Sequence, residues 1–451
     1  MSTTRKSFAQ AASRTGRAPR ELEVLVFGAT GFTGTLVARY LAERLPAGSK
    51  WGIAGRDAAK LNKVKSELIA LRGSCAEDVV VVDGVDVESE LSIKAATART
   101  WVLLNCVGPF IAYGIPVVRS CIETHTDYVD ITGEPRFVSA VVEQFHQRAT
   151  EADVLIVPCC GFDSIPADLG VWYTLQLPGC IDAATQTSRV QSVKTVIAAR
   201  ANLSNGTFTT AIEAVGMSQL SDLRQLMQAW YNSGSLSQFL FPPAANAPRF
   251  SIQYMRAVKD WVMPLPVIDT AIVRRSWELT PKASGSSTTN VASPYPSPFY
   301  YGQYYQMRGF KSVLKLVLFF PILLLLTVVA RFPGGRAYLQ RFGPKQRQGP
   351  SEERRKRSWF KSQVIAYDAK GAVLAQGVVS GGDPGYTETA KMLSECALLL
   401  AHHRYELPLR AGVATTASAF GNHLVSSLSA AGIKFEDVTG KDPTSAAKRQ
   451  S

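Results

Sequence analysis

The chain has 451 residues, of which 46% are hydrophobic, and a formal net charge of +13. That length can bury two cores, and the charge excludes a nucleic-acid-binding face because it is confined: residues 1–20 carry five basic and no acidic residues, residues 301–361 carry thirteen and two, and the remainder sums to −3. The seven cysteines (Cys75, Cys106, Cys121, Cys159, Cys160, Cys180 and Cys396) are odd in number and scattered, which excludes a disulfide scaffold, and with the five histidines they form no ligand spacing, so no metal is expected.

The basic stretch 1–20 fits either a transit peptide or a solvated disordered extension, and it has no secretory apolar region. LEVLVF (Leu22–Phe27) then reads as a strand, GATGFTG (Gly28–Gly34) as a turn, and FTGTLVARYLAERL as a helix with apolar spacing at Leu36, Val37, Tyr40, Leu41 and Leu45. A turn without side chains at a strand-to-helix junction lets an anion reach free amides at the positive end of the helix. The glycine pattern is GxxGxxG, one residue longer at its first interval than the usual dinucleotide fingerprint.

WGIAGR (Trp51–Arg56) is the next strand. An NAD site puts an acid at its end to hold the ribose hydroxyls, and here the position carries Arg56, which suits the 2′-phosphate of NADP(H) and can lie against adenine. A shift of one residue would instead present Asp57. Further strands are expected in DVVVVDGVD (Asp78–Asp86), TWVLLNCVGPF (Thr100–Phe110), DYVDITGE (Asp127–Glu134) and VLIVPCCGFDSIP (Val154–Pro166), with helical spacing between them. The economical arrangement is a doubly wound parallel sheet whose ligand lies at the carboxyl ends of the strands. Asp83, Asp86, Gly108–Phe110, Glu134 and Gly161–Ser164 gather there.

Beyond residue 180, TVIAARANL and WELT read as strands. KSVLKLVLFFPILLLLTVVARF follows, with fifteen uncharged residues from Leu316 to Ala330, or eighteen from Val313 if Lys315 snorkels. Helical rise makes this about 22 to 27 Å against roughly 30 Å of hydrocarbon, short for a span, and Pro321 should divide or kink it. FYYGQYY (Phe299–Tyr305) before it and RRKR (Arg354–Arg357) after it are the companions of an interfacial or re-entrant anchor, while a buried core helix is the competing reading. QVIAYDAKGAVLAQGVVS reads as a hairpin, TETAKMLSECALLLAHH as a helix capped by Thr387, and the final residues as disordered.

FGATGFTG, WGIAGR, LLNCVGPFIAYGIPVVRSCIE, DYVDITGE, GFDSIPADLGVWY, GDPGYTETAKML and GVATTASAFG, in this order over residues 22–438, resemble the saccharopine dehydrogenase-like oxidoreductases, a family related to saccharopine reductase and to trans-acting enoyl reductases. The likeness is greatest to the membrane- and lipid-droplet-associated type. It implies an α/β protein with an N-terminal Rossmann-type doubly wound parallel sheet and an α+β mixed-sheet second domain bearing a short apolar membrane-associating insertion. The expected divisions are a tail (1–20), the NADP-binding domain (21–180), the first part of the second domain (181–310), the apolar segment (311–336), a basic linker (337–361), the remainder with closing helices (362–438) and a second tail (439–451).

The resemblance also implies residue roles. Gly28, Thr30, Gly31, Phe32, Thr33 and Gly34 would wrap the pyrophosphate and Arg56 take the 2′-phosphate. Val107, Gly108, Pro109 and Phe110, at the end of the fourth strand, would pass the ribose and nicotinamide, and Gly161, Phe162, Asp163 and Ser164 would line the nicotinamide end. Asp163 and Ser164 equally suit a helix N-terminus, with Ser164 as its cap. Hydride transfer needs a proton donor rather than a nucleophile, and Tyr113 and Asp163 are the candidates. The expected substrate is a lipid or lipid-linked molecule at a membrane or lipid-droplet surface facing cytosol, with a mitochondrial location open through the basic tail and a homodimer as the oligomeric expectation. A catalytically weak dinucleotide-binding scaffold or sensor on the same surface is the alternative.

Overall fold

A computed structural model describes residues 19–73, 78–183, 185, 187–201, 251–265, 268–280, 294–297, 299–342 and 349–441; the side chains of 315–317 and 319–324 lie outside the described set. Two compact units emerge, Met1–Asp163 with Tyr386–Ala431 and Ser164–Gly385 with Gly432–Ser451.

The first unit alternates strand and helix: β1 (Leu22–Phe27), α1 (Phe32–Arg44), β2 (Trp51–Ala54), α2 (Ala58–Arg72), β3 (Val80–Val82), α3 (Glu90–Thr97), β4 (Thr100–Asn105), α4 (Phe110–Glu123), β5 (Asp127–Asp130), α5 (Pro135–Glu151) and β6 (Leu155–Val157). All pairs are parallel, in the order β6-β5-β4-β1-β2-β3. β1, β2 and β4 read as nearly unbroken apolar runs because helices cover both faces of the sheet.

The second unit holds α6 (Ile165–Thr174), β7 (Ser192–Arg200), β8 (Gln253–Met255), β9 (Asp260–Pro264), α7 (Ile268–Leu279), β10 (Tyr300–Gln306), α8 (Phe310–Ala330), α9 (Pro333–Gln340), α10 (Glu352–Lys356), β11 (Trp359–Tyr367) and β12 (Val373–Gly381). After a π-helical turn at Pro384–Glu388 come α11 (Thr389–His403), β13 (Gly412–Val413), α12 (Thr416–Phe420), α13 (Asn422–Ala430) and β14 (Lys434–Asp437). The second sheet is mixed, ordered β14-β12-β11-β7-β10-β9-β8, with β10 parallel to β7 and the hairpin β11–β12 antiparallel. Ala167, Val171, Val193, Val273, Tyr301 and Val364 form the core on its helix-covered face.

Several expectations are corrected. The first unit ends at Asp163, not at residue 180, and regains the chain at Tyr386: β13 pairs with β6 as a seventh parallel strand, and α11 packs on α1 and β4. Residues 386–431 thus leave the second domain to which 362–438 were assigned. Arg20 is folded rather than part of a tail, its guanidinium donating to the carbonyls of Thr97, Ala98 and Thr124 at two helix ends. Trp277–Leu279 of WELT is helical because burial of Ile268, Ile272, Val273 and Ser276 follows the helix period. Thr387 is not the cap residue of α11, which begins two residues later from Glu388 without a side-chain cap hydrogen bond.

The aromatic run Phe299–Tyr305 is not interfacial: Phe299, Tyr301 and Tyr304 are buried in the core around β10. α8 runs through Pro321 as one helix of 21 residues, eleven before the proline and nine after it. Among the described residues no helix is long and apolar enough to cross a membrane. Residues 1–18 and 442–451 lie outside the described residues.

Candidate dinucleotide site

The glycine loop closes against the ends of β1, β2 and β4. Gly28 has φ +83°, a conformation side chains resist, and a Cβ there would sit 2.7 Å from Val107 Cγ2. A Cβ on Gly34 would lie 2.2 Å from the Gly28 carbonyl oxygen, so this glycine lets α1 start hard against the turn. Thr35, which the motif does not single out, clamps the turn by donating to the carbonyls of Ala29 (3.0 Å) and Gly31 (2.9 Å). The amides of Thr30, Thr33 and Gly34 meet no acceptor among the described residues. Free amides at the N-terminus of a 13-residue helix are what a pyrophosphate requires, so the loop fits the group. Phe32 points elsewhere: its ring packs edge-on against Tyr386, with centroids 5.1 Å apart.

At the end of β2, the two candidate ribose residues separate. Asp57 is the N-cap of α2, accepting from the Lys60 amide at 3.0 Å and pairing with the Lys60 ammonium. Arg56 is exposed and makes no hydrogen bond or ion pair among the described residues. The cation is therefore the residue available to a ligand.

The ends of β4, β5 and β6 are tied by a buried polar chain. Asn105 donates to Tyr128 Oη (3.1 Å), which donates to Asp130 Oδ2 (2.8 Å); Asp130 Oδ1 accepts the amides of Thr132 and Cys159, both at 2.9 Å. Asn105 Oδ1 also accepts the Val107 amide at 2.9 Å. Burial raises the Asp130 carboxyl to about 6, with the nearby Glu134 charge adding to the shift and its hydrogen bonds opposing it. Cys159, at φ +61°, is held in the left-handed region by this contact.

Val107 and Gly108 follow β4, which stops at Asn105, so the four residues Val107–Phe110 form the loop and the first residue of α4 rather than the strand's end. A cis peptide joins Gly108 to Pro109. Phe110 is buried, its ring 5.8 Å from that of Phe137, and its amide is taken: Glu134 accepts from Phe110 at 2.9 Å and from Ile111 at 2.8 Å. The N-terminus of α4 thus holds the protein's own carboxylate.

After β6, Gly161 lies where a Cβ would be 3.1 Å from Thr389 Cγ2, and the Phe162 amide donates to Thr389 Oγ1 at 3.1 Å. Asp163 closes on the next loop, a Cβ on Gly133 being 2.7 Å from its Oδ2. Loss of water to surrounding protein raises its carboxyl, although part of the side chain remains exposed. Tyr113, half-buried, stands on the first turn of α4 with its amide bonded to Pro109. Ser164 occupies the N-cap position of α6, but its fully buried hydroxyl makes no cap hydrogen bond and has no partner among the described residues, and the residue falls in the second unit. The cap expected of its side chain is absent.

The first unit therefore assembles the glycine loop, Arg56, the Val107–Phe110 loop and Gly161–Asp163 along one edge of one sheet. Sequence reasoning missed Asn105, Tyr128 and Asp130, whose polarity inside apolar strands was a signal, and Tyr386 and Thr389, which no local signal could connect to loops more than two hundred residues away. Among the described residues no cluster of three or more His, Cys, Asp and Glu could hold a metal.

Residues 24–157 match the saccharopine dehydrogenase NADP-binding domain. A saccharopine dehydrogenase-like oxidoreductase of Pongo abelii is 31% identical over 453 residues, covering 94% of this chain and 99% of that one. A Mycobacterium tuberculosis protein whose name proposes a trans-acting enoyl reductase is 30% identical, covering 93% and 98%. An Arabidopsis thaliana relative, whose name proposes a mitochondrial saccharopine dehydrogenase-like oxidoreductase, is 28% identical, covering 92% and 96%. With a Rossmann-type strand order, an NADP-binding domain over residues 24–157 and such similarity along nearly its whole length, the chain belongs to the saccharopine dehydrogenase-like oxidoreductases.

Proposed function

We propose that the protein is an NADP(H)-dependent oxidoreductase that transfers hydride to or from a lipid or lipid-linked substrate at a membrane or lipid-droplet surface. The observation that carries the cofactor choice is the division of labour at the end of β2, where Asp57 is committed to capping and Arg56 is not committed. NADP(H), when bound, supplies or accepts the hydride. The chain's own residues cradle the pyrophosphate at the amides of Thr30, Thr33 and Gly34, meet the 2′-phosphate with Arg56, and hold a proton at Asp163. A carboxyl whose partial desolvation favours the neutral form keeps its proton at higher pH than an ordinary aspartate, which suits a donor to the oxygen or carbon left negative by hydride addition. Tyr113 is the second candidate donor.

The lipid reading is supported by the exposed apolar side chains of α8 and of the turn into α9, which include Leu318, Leu325 and Phe332. The test is to incubate the full chain with NADPH and a cellular lipid extract and to seek a reduced species by mass spectrometry alongside loss of NADPH absorbance. A lipid product supports the reading. NADPH binding without consumption by any extract would reduce the protein to a dinucleotide-binding scaffold.

A further inference from the structure

β10 is parallel to β7 and β11 antiparallel to it, on β7's two sides. Gln306, which ends β10, and Trp359, which starts β11 opposite Arg200, therefore stand at the same end of β7, two strand spacings or about 10 Å apart. Arg308 fastens the gap, its guanidinium 4.5 Å from the centre of the Trp359 ring. The 52 residues between Gln306 and Trp359 leave the sheet and return to it at one place.

The excursion turns sharply where α8 meets α9. A Cβ on Gly335 would be 1.9 Å from the Val329 carbonyl oxygen, so only glycine allows this approach, and Arg336 donates back to the Ala330 and Arg331 carbonyls at the end of α8. Phe310, Leu314, Leu318, Leu325, Phe332 and Phe342 are exposed along it. Lys311, Arg331 and Arg341 are exposed among them, and Arg354 and Arg357 stand at its return. That return, residues 341–357, holds Arg341, Lys345, Arg347, Glu352, Glu353 and Arg354–Arg357. Such a segment cannot recross hydrocarbon, since each charge would be stranded without water.

We infer that α8 and α9 form a one-sided hairpin that lies along the headgroup–acyl boundary of a single leaflet of an anionic lipid surface, with both its ends and its turn on the same side. This rests on the membrane reading above and fixes its topology. The apolar faces meet acyl chains, the cations meet lipid phosphates, and Phe332, Tyr338 and Phe342 sit at headgroup depth. A fully spanning α8 would put Arg331–Arg341 on the far side.

The test uses the full chain in two settings. On synthetic vesicles, the protein should float with phosphatidylcholine containing phosphatidylserine more than with phosphatidylcholine alone, and Leu318→Glu with Leu325→Glu should reduce flotation roughly tenfold or more. In sealed membranes from expressing cells, an impermeant maleimide should label Arg341→Cys as fully as Lys311→Cys before detergent, above the background of the parent chain. Labelling of Arg341→Cys only after detergent would mean a spanning helix and overturn the hairpin while sparing the membrane reading. Equal flotation on both vesicles would overturn the role of charge, and no flotation on either would overturn hairpin and membrane reading together.

Discussion

Arg56 and Asp57 are adjacent, yet Asp57 accepts the Lys60 amide at 3.0 Å while Arg56 has no partner among the described residues. Capping uses the acid that could have held ribose hydroxyls and leaves the cation for a phosphate. Arg56→Ala should weaken NADP(H) binding about 10- to 100-fold, a charge-assisted hydrogen bond being worth about 1.5–3 kcal/mol, and nearly spare NAD(H). Calorimetric titration of both cofactors checks this, and equal wild-type affinities for the two would sink the assignment.

Gly34→Ala tests the loop. Its Cβ would fall 2.2 Å from the Gly28 carbonyl oxygen, so the turn or the start of α1 must move. The free amides move with it. NADPH affinity should fall at least tenfold while the far-ultraviolet circular dichroism is retained, because the rest of α1 is undisturbed. Wild-type affinity in this variant would mean that the amides do not hold the cofactor.

Glu134 satisfies two amides at the N-terminus of α4, a bidentate cap delivered from another loop. Glu134→Ala should cost about 1–2 kcal/mol of stability in chemical denaturation, and Glu134→Gln, which keeps one acceptor, clearly less. Equal losses in the two variants would show that the carboxylate's contacts are incidental.

How much of this was legible follows from the range of the interactions. β1 is legible to the residue because LEVLVF is bounded by charge and glycine, and the glycine loop is legible because its pattern is local. The seventh strand is two residues long and owes its place to pairing with β6, so no periodicity could announce it. Thr389 and Tyr386 reach the loops through tertiary packing alone. The aromatic run Phe299–Tyr305 misleads for the opposite reason: a cluster of aromatics that suits a lipid interface also suits a buried strand, and burial of Tyr301 and Tyr304 on opposite faces of the second sheet decides it.

Asp130 predicts a pH dependence of stability. Its folded pKa of about 6 lies above the ordinary 3.8, first because burial disfavours the charge. The fold therefore binds a proton that the unfolded chain releases, and the contribution is fully present below pH 3.8 and lost as pH rises through about 6. Asp130→Asn keeps an oxygen for the Thr132 and Cys159 amides and presents an amide to Tyr128, whose hydroxyl can accept it. That variant lacks the titration. The stability of wild type relative to it should rise as pH falls from 7 towards 4, by at most about 3 kcal/mol at 1.36 kcal/mol per unit. Urea unfolding of both proteins at half-unit steps measures the difference directly. A difference constant over this range would place the Asp130 carboxyl at its ordinary value and remove burial as the dominant influence on it.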